Sequence, residues 1–150
     1  MLRIALISPD IPQNTGNVGR LCVGLGAELH LVKPMGFVID DRKLKRAGLD
    51  YWKDLNLTLH ENLDAFMAFA GTARKFFLTT KAKRAYTDAT YQKDDFLIFG
   101  CETKGLPEAL LKAHWDNAIT IPMFGPIRSL NLSTSVGIVA YEAVRQIRIC

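Results

Sequence analysis

At 150 residues, 49% apolar and 23% charged, the chain is about one domain long and can bury a full core. That excludes a disordered chain, a collagen-like chain and a disulfide-stapled mini-protein. Nineteen Lys and Arg against fifteen Asp and Glu leave a charge of +4, compatible with an anionic partner but not diagnostic of one.

In chain order, residues 2–7 form a short apolar run. It is too brief for a signal peptide and is stopped by Pro9 and Asp10, so it predicts a first buried strand. A helix is predicted over 16–25, a strand over 28–32, and helices over 41–48 and 63–70. Strands follow over 75–79 and 96–99, then a helix over 107–113 with Pro107 in its first turn. A last strand covers 118–121 and a last helix 134–147, with Ser133 as its N-cap. Val136, Val139, Ala140, Ala143, Val144 and Ile147 give that helix one apolar stripe. Strands alternating with helices predict an α/β domain with a mostly parallel sheet flanked by helices. No linker, repeat or run of ~18 apolar residues interrupts it, so residues 1–150 read as a single domain without a membrane span or an appended RNA-binding domain.

The three cysteines, Cys22, Cys101 and Cys150, make no Cys-x-x-Cys and lie near none of the histidines. They predict reduced thiols in a cytoplasmic protein and no metal site. The dinucleotide fingerprint, the nucleoside-triphosphate loop, the Gly-x-Ser-x-Gly elbow and His-Glu-x-x-His are all missing. His30, His60 and His114 fall at strands and helix ends, which disfavours a Ser-His-Asp hydrolase.

In parallel α/β sheets, ligands sit beyond the carboxyl ends of the strands. Three loops predicted there combine glycine or proline with polar groups: residues 8–20, 100–107 and 122–133. Asn14-Thr-Gly-Asn-Val-Gly-Arg20, Phe99-Gly-Cys-Glu-Thr-Lys-Gly-Leu-Pro107 and Arg128-Ser-Leu-Asn-Leu-Ser133 with Tyr141-Glu-Ala occur in the order of the three motifs of the SPOUT superfamily of RNA methyltransferases. The whole chain resembles that superfamily. Asp10-Ile-Pro-Gln-Asn-Thr-Gly-Asn, Lys33-Pro-Met-Gly-Phe and Leu44-x-Arg-Ala-Gly-Leu-Asp-Tyr51 are similar to its small members acting on the wobble nucleotide of tRNA. Cys101 departs from the pattern, being a thiol where close relatives often carry proline or serine.

The resemblance implies a deep trefoil knot in the C-terminal part, S-adenosyl-L-methionine as methyl donor and S-adenosyl-L-homocysteine as product. It also implies tRNA as substrate, methylated at a ribose 2′-hydroxyl, and a homodimer whose two subunits share each site. The alternatives are a 2′-O-methyltransferase of another tRNA or rRNA position, and a knotted RNA-binding protein without catalysis. In-line transfer from a sulfonium to an alcohol needs positioning and proton loss but no metal. On this reading Leu78, Ile121 and Leu130 sandwich the adenine, Ser129, Asn131 and Ser133 supply polar groups, and Gly100 admits the cofactor close to the backbone. Arg20 stands at the reacting hydroxyl, where a guanidinium resists deprotonation and serves to hold phosphate and stabilise an alkoxide. Asn14, as helix N-cap, orients Arg20 or Glu102; Glu102 holds the loop or neutralises Arg20. Arg128, Arg42, Lys43 and Arg46 face RNA, with Lys81, Lys83 and Arg84 as a second basic cluster. A charge run is also the ordinary composition of a solvated helix face. Tyr51 and Trp52 read as core or interface residues rather than base-stacking ones.

Overall fold

A computed structural model of the chain describes residues 1–39 and 50–149. The helix expected over 41–48, and with it Arg42, Lys43 and Arg46, lies outside the described residues, as does Cys150. Strands β1 (Arg3–Ile7), β2 (Glu28–Val32), β3 (Asn56–His60), β4 (Lys75–Leu78), β5 (Phe96–Phe99) and β6 (Ala118–Ile119) form one sheet in the order β3-β2-β1-β5-β4-β6. Every pairing is parallel. Four α-helices accompany it among the described residues: α1 (Pro12–Leu25), α2 (Leu63–Ala70), α3 (Glu108–Ala113) and α4 (Leu132–Ile149).

The alternation of side chains along the central strands divides the core into two layers. Ile4, Leu6, Leu29, Leu31, Leu97 and Phe99 meet Val18 and Cys22 of α1 and the expected stripe of α4. Ala5, Ile7, Phe96, Ile98 and Phe77 meet Phe66 and Ala70 of α2 and Leu111 of α3. Cys22 is enclosed in the first layer, where burial pushes its thiol up to about 12, the condition of an inert structural cysteine.

Several boundaries differ from expectation. Strand β3 was not predicted: Asn56-Leu-Thr-Leu-His60 is an edge strand, half-buried and alternating, without the continuous apolar run of a strand buried on both faces. Helix α1 begins at Pro12, four residues before Gly16, because proline suits the first helical position. It stops at Gly26, whose φ of 66° is left-handed. Pro107 occupies the N-cap position of α3 rather than its first turn. Asn131, not Ser133, caps α4: its Oδ1 accepts from the backbone N–H of Ser133 at 2.9 Å and of Thr134 at 3.3 Å. Tyr51 donates its hydroxyl to the Gly16 carbonyl and Trp52 lies against Gly19, so both pack on α1 as expected.

The second layer contains a polar pair. His30 and His60 are buried, their Nδ1 and Nε2 atoms 3.0 Å apart. The rings of Phe66 and Phe69 from α2 lie beside both, and Phe96 of β5 lies beside His30. Glu28 Oε2 lies 3.1 Å from His30 Nε2, so that nitrogen carries the proton, His30 Nδ1 accepts, and His60 Nε2 donates. Arg3 of β1 stacks over the Phe96 ring. Burial lowers the pKa of His30 against the opposing pull of Glu28, and burial followed by the neighbouring His30 lowers that of His60. Both rings therefore resist protonation when folded but accept protons near pH 6.5 when unfolded, so stability is full above that pH and falls as pH drops below it. The melting temperature should decrease from pH 7.5 to pH 5, and the double substitution His30→Gln with His60→Gln should flatten that profile. An unchanged slope in the double variant would assign it to other groups.

Candidate active site

Strands β1 and β5 are adjacent at the centre of the sheet, and the loops leaving their carboxyl ends diverge there, the usual place for a ligand crevice. The loop after β1 turns at Ser8, whose φ is 51°, and delivers the chain into α1 at Ile11, a residue with no capping side chain. The missing cap comes from the loop after β5. The Glu102 carboxylate accepts from the backbone N–H of Asp10 at 2.8 Å and of Ile11 at 3.2 Å. A carboxylate there satisfies free donors and complements the helix dipole. Thr103 adds a hydroxyl bond to Asp10 Oδ2 at 3.1 Å.

Asn14 is buried in the first turn of α1, three positions beyond the N-cap expected for it. Its Nδ2 donates to Glu102 Oε1 at 3.3 Å and its Oδ1 accepts from Asn131 Nδ2 at 3.0 Å. Asn131 Oδ1 also accepts the Ser133 hydroxyl at 2.6 Å besides capping α4. Glu102, Asn14 and Asn131 thus link the three motif loops side chain to side chain. Glu102 holds its loop; it makes no ion pair with Arg20 among the described residues.

The loop after β5 folds back tightly. A Cβ on Gly100 would sit 2.1 Å from the Gly105 carbonyl carbon, and Gly105 itself has a φ of 68°. The close approach expected at Gly100 is therefore made by the chain's own backbone. Cys101 Sγ accepts the Lys104 N–H at 3.4 Å and helps close this turn.

Together the loops enclose a cavity of 360 Å³. All six residues expected to hold a cofactor line it: Leu78, Gly100, Ile121, Ser129, Leu130 and Asn131, together with Asn14 and Glu102. The lining is divided between apolar side chains, such as Leu78, Ile121 and Leu130, and polar or charged ones, such as Thr79, Thr80, Lys81 and Ser129, which suits a molecule with both apolar and polar parts. Ser133 is half-buried with its hydroxyl spent on Asn131, so it acts through the cap.

Arg20 and Arg128 are exposed and do not line this cavity. Arg20 lies six positions beyond Asn14 on α1, about 9 Å along the axis and on another face. Sequence reasoning missed Thr79 and Thr80, which follow β4 and form one wall together with Lys81 of the second basic cluster. The polar pair at the carboxyl end of a predicted strand was their signal. Sequence reasoning also gave no role to Glu142, quoted within Tyr141-Glu-Ala, or to Gln146 of α4. Arg145 and Gln146 hold Glu142 at about 2, while Gln146 receives the Tyr91 N–H and donates to the Ala89 carbonyl. These bonds anchor α4 to the segment before β5.

A parallel α/β domain with such a cavity beyond the carboxyl ends of its strands is built as a small-molecule-binding domain. The model of the SpoU rRNA Methylase family matches residues 1–141, and the chain belongs to that family. It is 47% identical over 148 residues to the tRNA (cytidine(34)-2′-O)-methyltransferase of Escherichia coli K12, covering 98% of this chain and 94% of the relative. The enzyme of the same name from Methylovorus glucosotrophus is 46% identical over 147 residues, covering 97% and 96%. A solved structure concerning 2-OH methylation of C/U34 on tRNA superimposes with a TM-score of 0.92 at 46% identity, covering 97% of this chain and 95% of that one. The AdoMet-bound rRNA methyltransferase from Sinorhizobium meliloti gives 0.83 at 25% identity, covering 96% and 56%.

Removing the Glu102 carboxylate should loosen the cavity by freeing the start of α1. Glu102→Ala is expected to cost about 0.5–2 kcal/mol in denaturant unfolding, the range for loss of a helix cap. Gly100→Ala should lower both stability and cofactor affinity, because the Gly105 backbone must move. Calorimetric titration with S-adenosylhomocysteine checks this, and unchanged affinity in both variants would detach the loop from binding.

Proposed function

We propose that the chain transfers the methyl group of S-adenosyl-L-methionine to the ribose 2′-hydroxyl of the wobble nucleotide, cytidine or uridine, of certain tRNAs. The reading is carried by the convergence of the three motif loops on one cavity in a chain 47% identical to an enzyme named for that reaction. It includes a metal-free reaction, release of S-adenosyl-L-homocysteine and a cytoplasmic location.

S-adenosyl-L-methionine, when bound, would supply an electrophilic methyl on a sulfonium: its carbon–sulfur bond would break as the carbon–oxygen bond forms, the thioether of S-adenosyl-L-homocysteine would leave, and the hydroxyl proton would pass to solvent water. Leu78, Ile121 and Leu130 hold the adenine by apolar contact, and Ser129 lies beside them with no hydrogen-bond partner for its hydroxyl among the described residues. Asn14, Asn131 and Glu102 position the walls through the bonds described above. Arg20 meets the reacting ribose, where its fixed positive charge stabilises the developing alkoxide and holds RNA phosphate. Arg128, Arg42, Lys43 and Arg46 contact the RNA backbone.

Arg20 lies outside the cavity of its own chain and has no ion-pair partner among the described residues. This supports a homodimer in which Arg20 of one copy serves the cavity of the other. Exposed apolar side chains supply a surface for it: Ile11 at the cavity, Phe124 and Ile127 in the loop before α4, and Tyr141 on α4. A C-terminal trefoil knot belongs to the same reading. It is supported by the path from β6 at the sheet edge, through the cavity-lining loop, back to α4 packed on α1 and β5.

The test is methyl transfer from labelled S-adenosylmethionine to unmodified tRNA, with nucleoside mass spectrometry and mapping. The expected product is 2′-O-methylcytidine or 2′-O-methyluridine at the wobble position; a mark elsewhere would replace the substrate, and no transfer would overturn the activity. Arg20→Ala should reduce turnover by about 10²–10³-fold, as loss of one transition-state donor does. Its cofactor affinity should remain, and undiminished turnover would remove Arg20 from the reaction.

A further inference from the structure

A second cavity, of 420 Å³, opens beside the start of β4 and is lined by Arg74, Lys75, Phe76, Arg84, Thr90 and Asn117. It exists because β6 is short. That strand pairs with β4 only at Phe77 and Leu78, so among the described residues no strand covers the outer edge of β4 at Lys75 and Phe76. Half of the lining residues are cations and none is an acid.

The cations are held in place by the protein. Arg74 donates Nε to Asp95 Oδ1 at 3.0 Å and one terminal nitrogen to the Thr90 carbonyl. Lys75 Nζ donates to the carbonyls of Gly71 at 2.6 Å and Ala73 at 2.8 Å. Arg84 donates to the Asp88 carbonyl at 3.3 Å. A guanidinium carries five N–H donors and an ammonium three, so each head retains donors beyond those used. Asp95, the carboxylate paired with Arg74, is 2% exposed and also accepts the Gln92 N–H. One negative charge thus stands behind three positive ones. Preorganised Arg and Lys donors with an excess of charge are the chemistry of a phosphate site.

The cavity is joined to the candidate active site by two routes along the chain. On β4, Lys75 lines the second cavity and Leu78 the first, about 10 Å apart at ~3.3 Å per residue, or the rise of roughly three stacked nucleotides. In the segment after β4, Lys81 lines the first cavity and Arg84 the second, with Lys83 exposed between them. We propose that the Arg74, Lys75 and Arg84 cavity binds a backbone phosphate of the tRNA, a few nucleotides along the strand from the ribose being methylated. The proposal rests on the tRNA function given above.

The test compares tRNA binding by the parental protein, Arg84→Ala, Arg84→Lys and Lys75→Gln across a salt series. S-adenosylmethionine affinity and melting temperature are measured alongside. Arg84→Ala should weaken tRNA binding about 3- to 10-fold and lower the slope of log K against log salt by ~0.7–0.9, the signature of one lost phosphate contact. Arg84→Lys should restore most of both, with cofactor affinity unchanged throughout. Lys75→Gln should reproduce the slope change and decides the matter if Arg84→Ala lowers the melting temperature. Parental tRNA binding and methylation with unaltered slopes in the variants would overturn the phosphate site alone. Loss only of stabilisation by inorganic phosphate, with tRNA binding intact, would assign the cavity to a free anion and also overturn it. A parental protein that binds no tRNA would overturn this proposal and the function together.

Discussion

The hydrogen-bonded line from Glu102 through Asn14 to Asn131 is the constraint on which the cavity depends. Its members lie 88 and 117 residues apart in sequence and come from the loop after β5, the first turn of α1 and the cap of α4. Its two ends also cap helices, Glu102 accepting the backbone N–H groups of Asp10 and Ile11 and Asn131 those of Ser133 and Thr134. Helix capping and cavity assembly are therefore one set of bonds. Three loops that would each move independently are fixed at the ends of two helices, which gives them the rigidity a positioned transfer reaction needs.

Those helix ends are rigid because of the layer beneath them. Strands β1, β2 and β5 are covered on both faces, and α1 and α4 share one face, so a shift of either helix would disturb the same apolar layer. On the opposite face the His30–His60 pair sits in a ring of aromatic side chains, far along the sheet from Leu78 and Ile121. Its polarity is satisfied within the pair and by Glu28, which makes it a structural group rather than a second reactive centre.

The interior of the fold was legible because two-sided burial writes itself as runs such as Phe96–Phe99, and the stripe of α4 because its spacing is helical. The edge strand β3 was not, since burial on one side leaves only an alternation of leucine with polar residues. Residues of the site were legible one at a time: all six expected cofactor contacts line a single cavity. Their connections were not. Nothing local in the sequence says that a glutamate near residue 100 caps a helix that starts at Pro12, because capping is read from neighbours and this cap crosses the sheet. Gly100 illustrates the same limit. The need for glycine was visible, but the partner that imposes it is the Gly105 backbone, brought close by a turn whose φ is set elsewhere in the loop.

The distribution of charge completes the picture. The carboxylate closest to the cavity, Glu102, is occupied by backbone N–H groups and an amide, while Lys81 and Lys104 line the same space with no ion-pair partner among the described residues. The residues lining the cavity thus carry two cations against one carboxylate, although the chain carries only +4 overall. A modest net charge suffices when its excess is focused where loops converge, because low-dielectric walls concentrate the potential at a cleft. Arg20, exposed on the far face of the helix that Asn14 holds, adds a cation that packing leaves available to a second molecule. Helix α1 thus divides its labour by face: the buried one fixes the cavity of its own chain, and the exposed one presents charge outward.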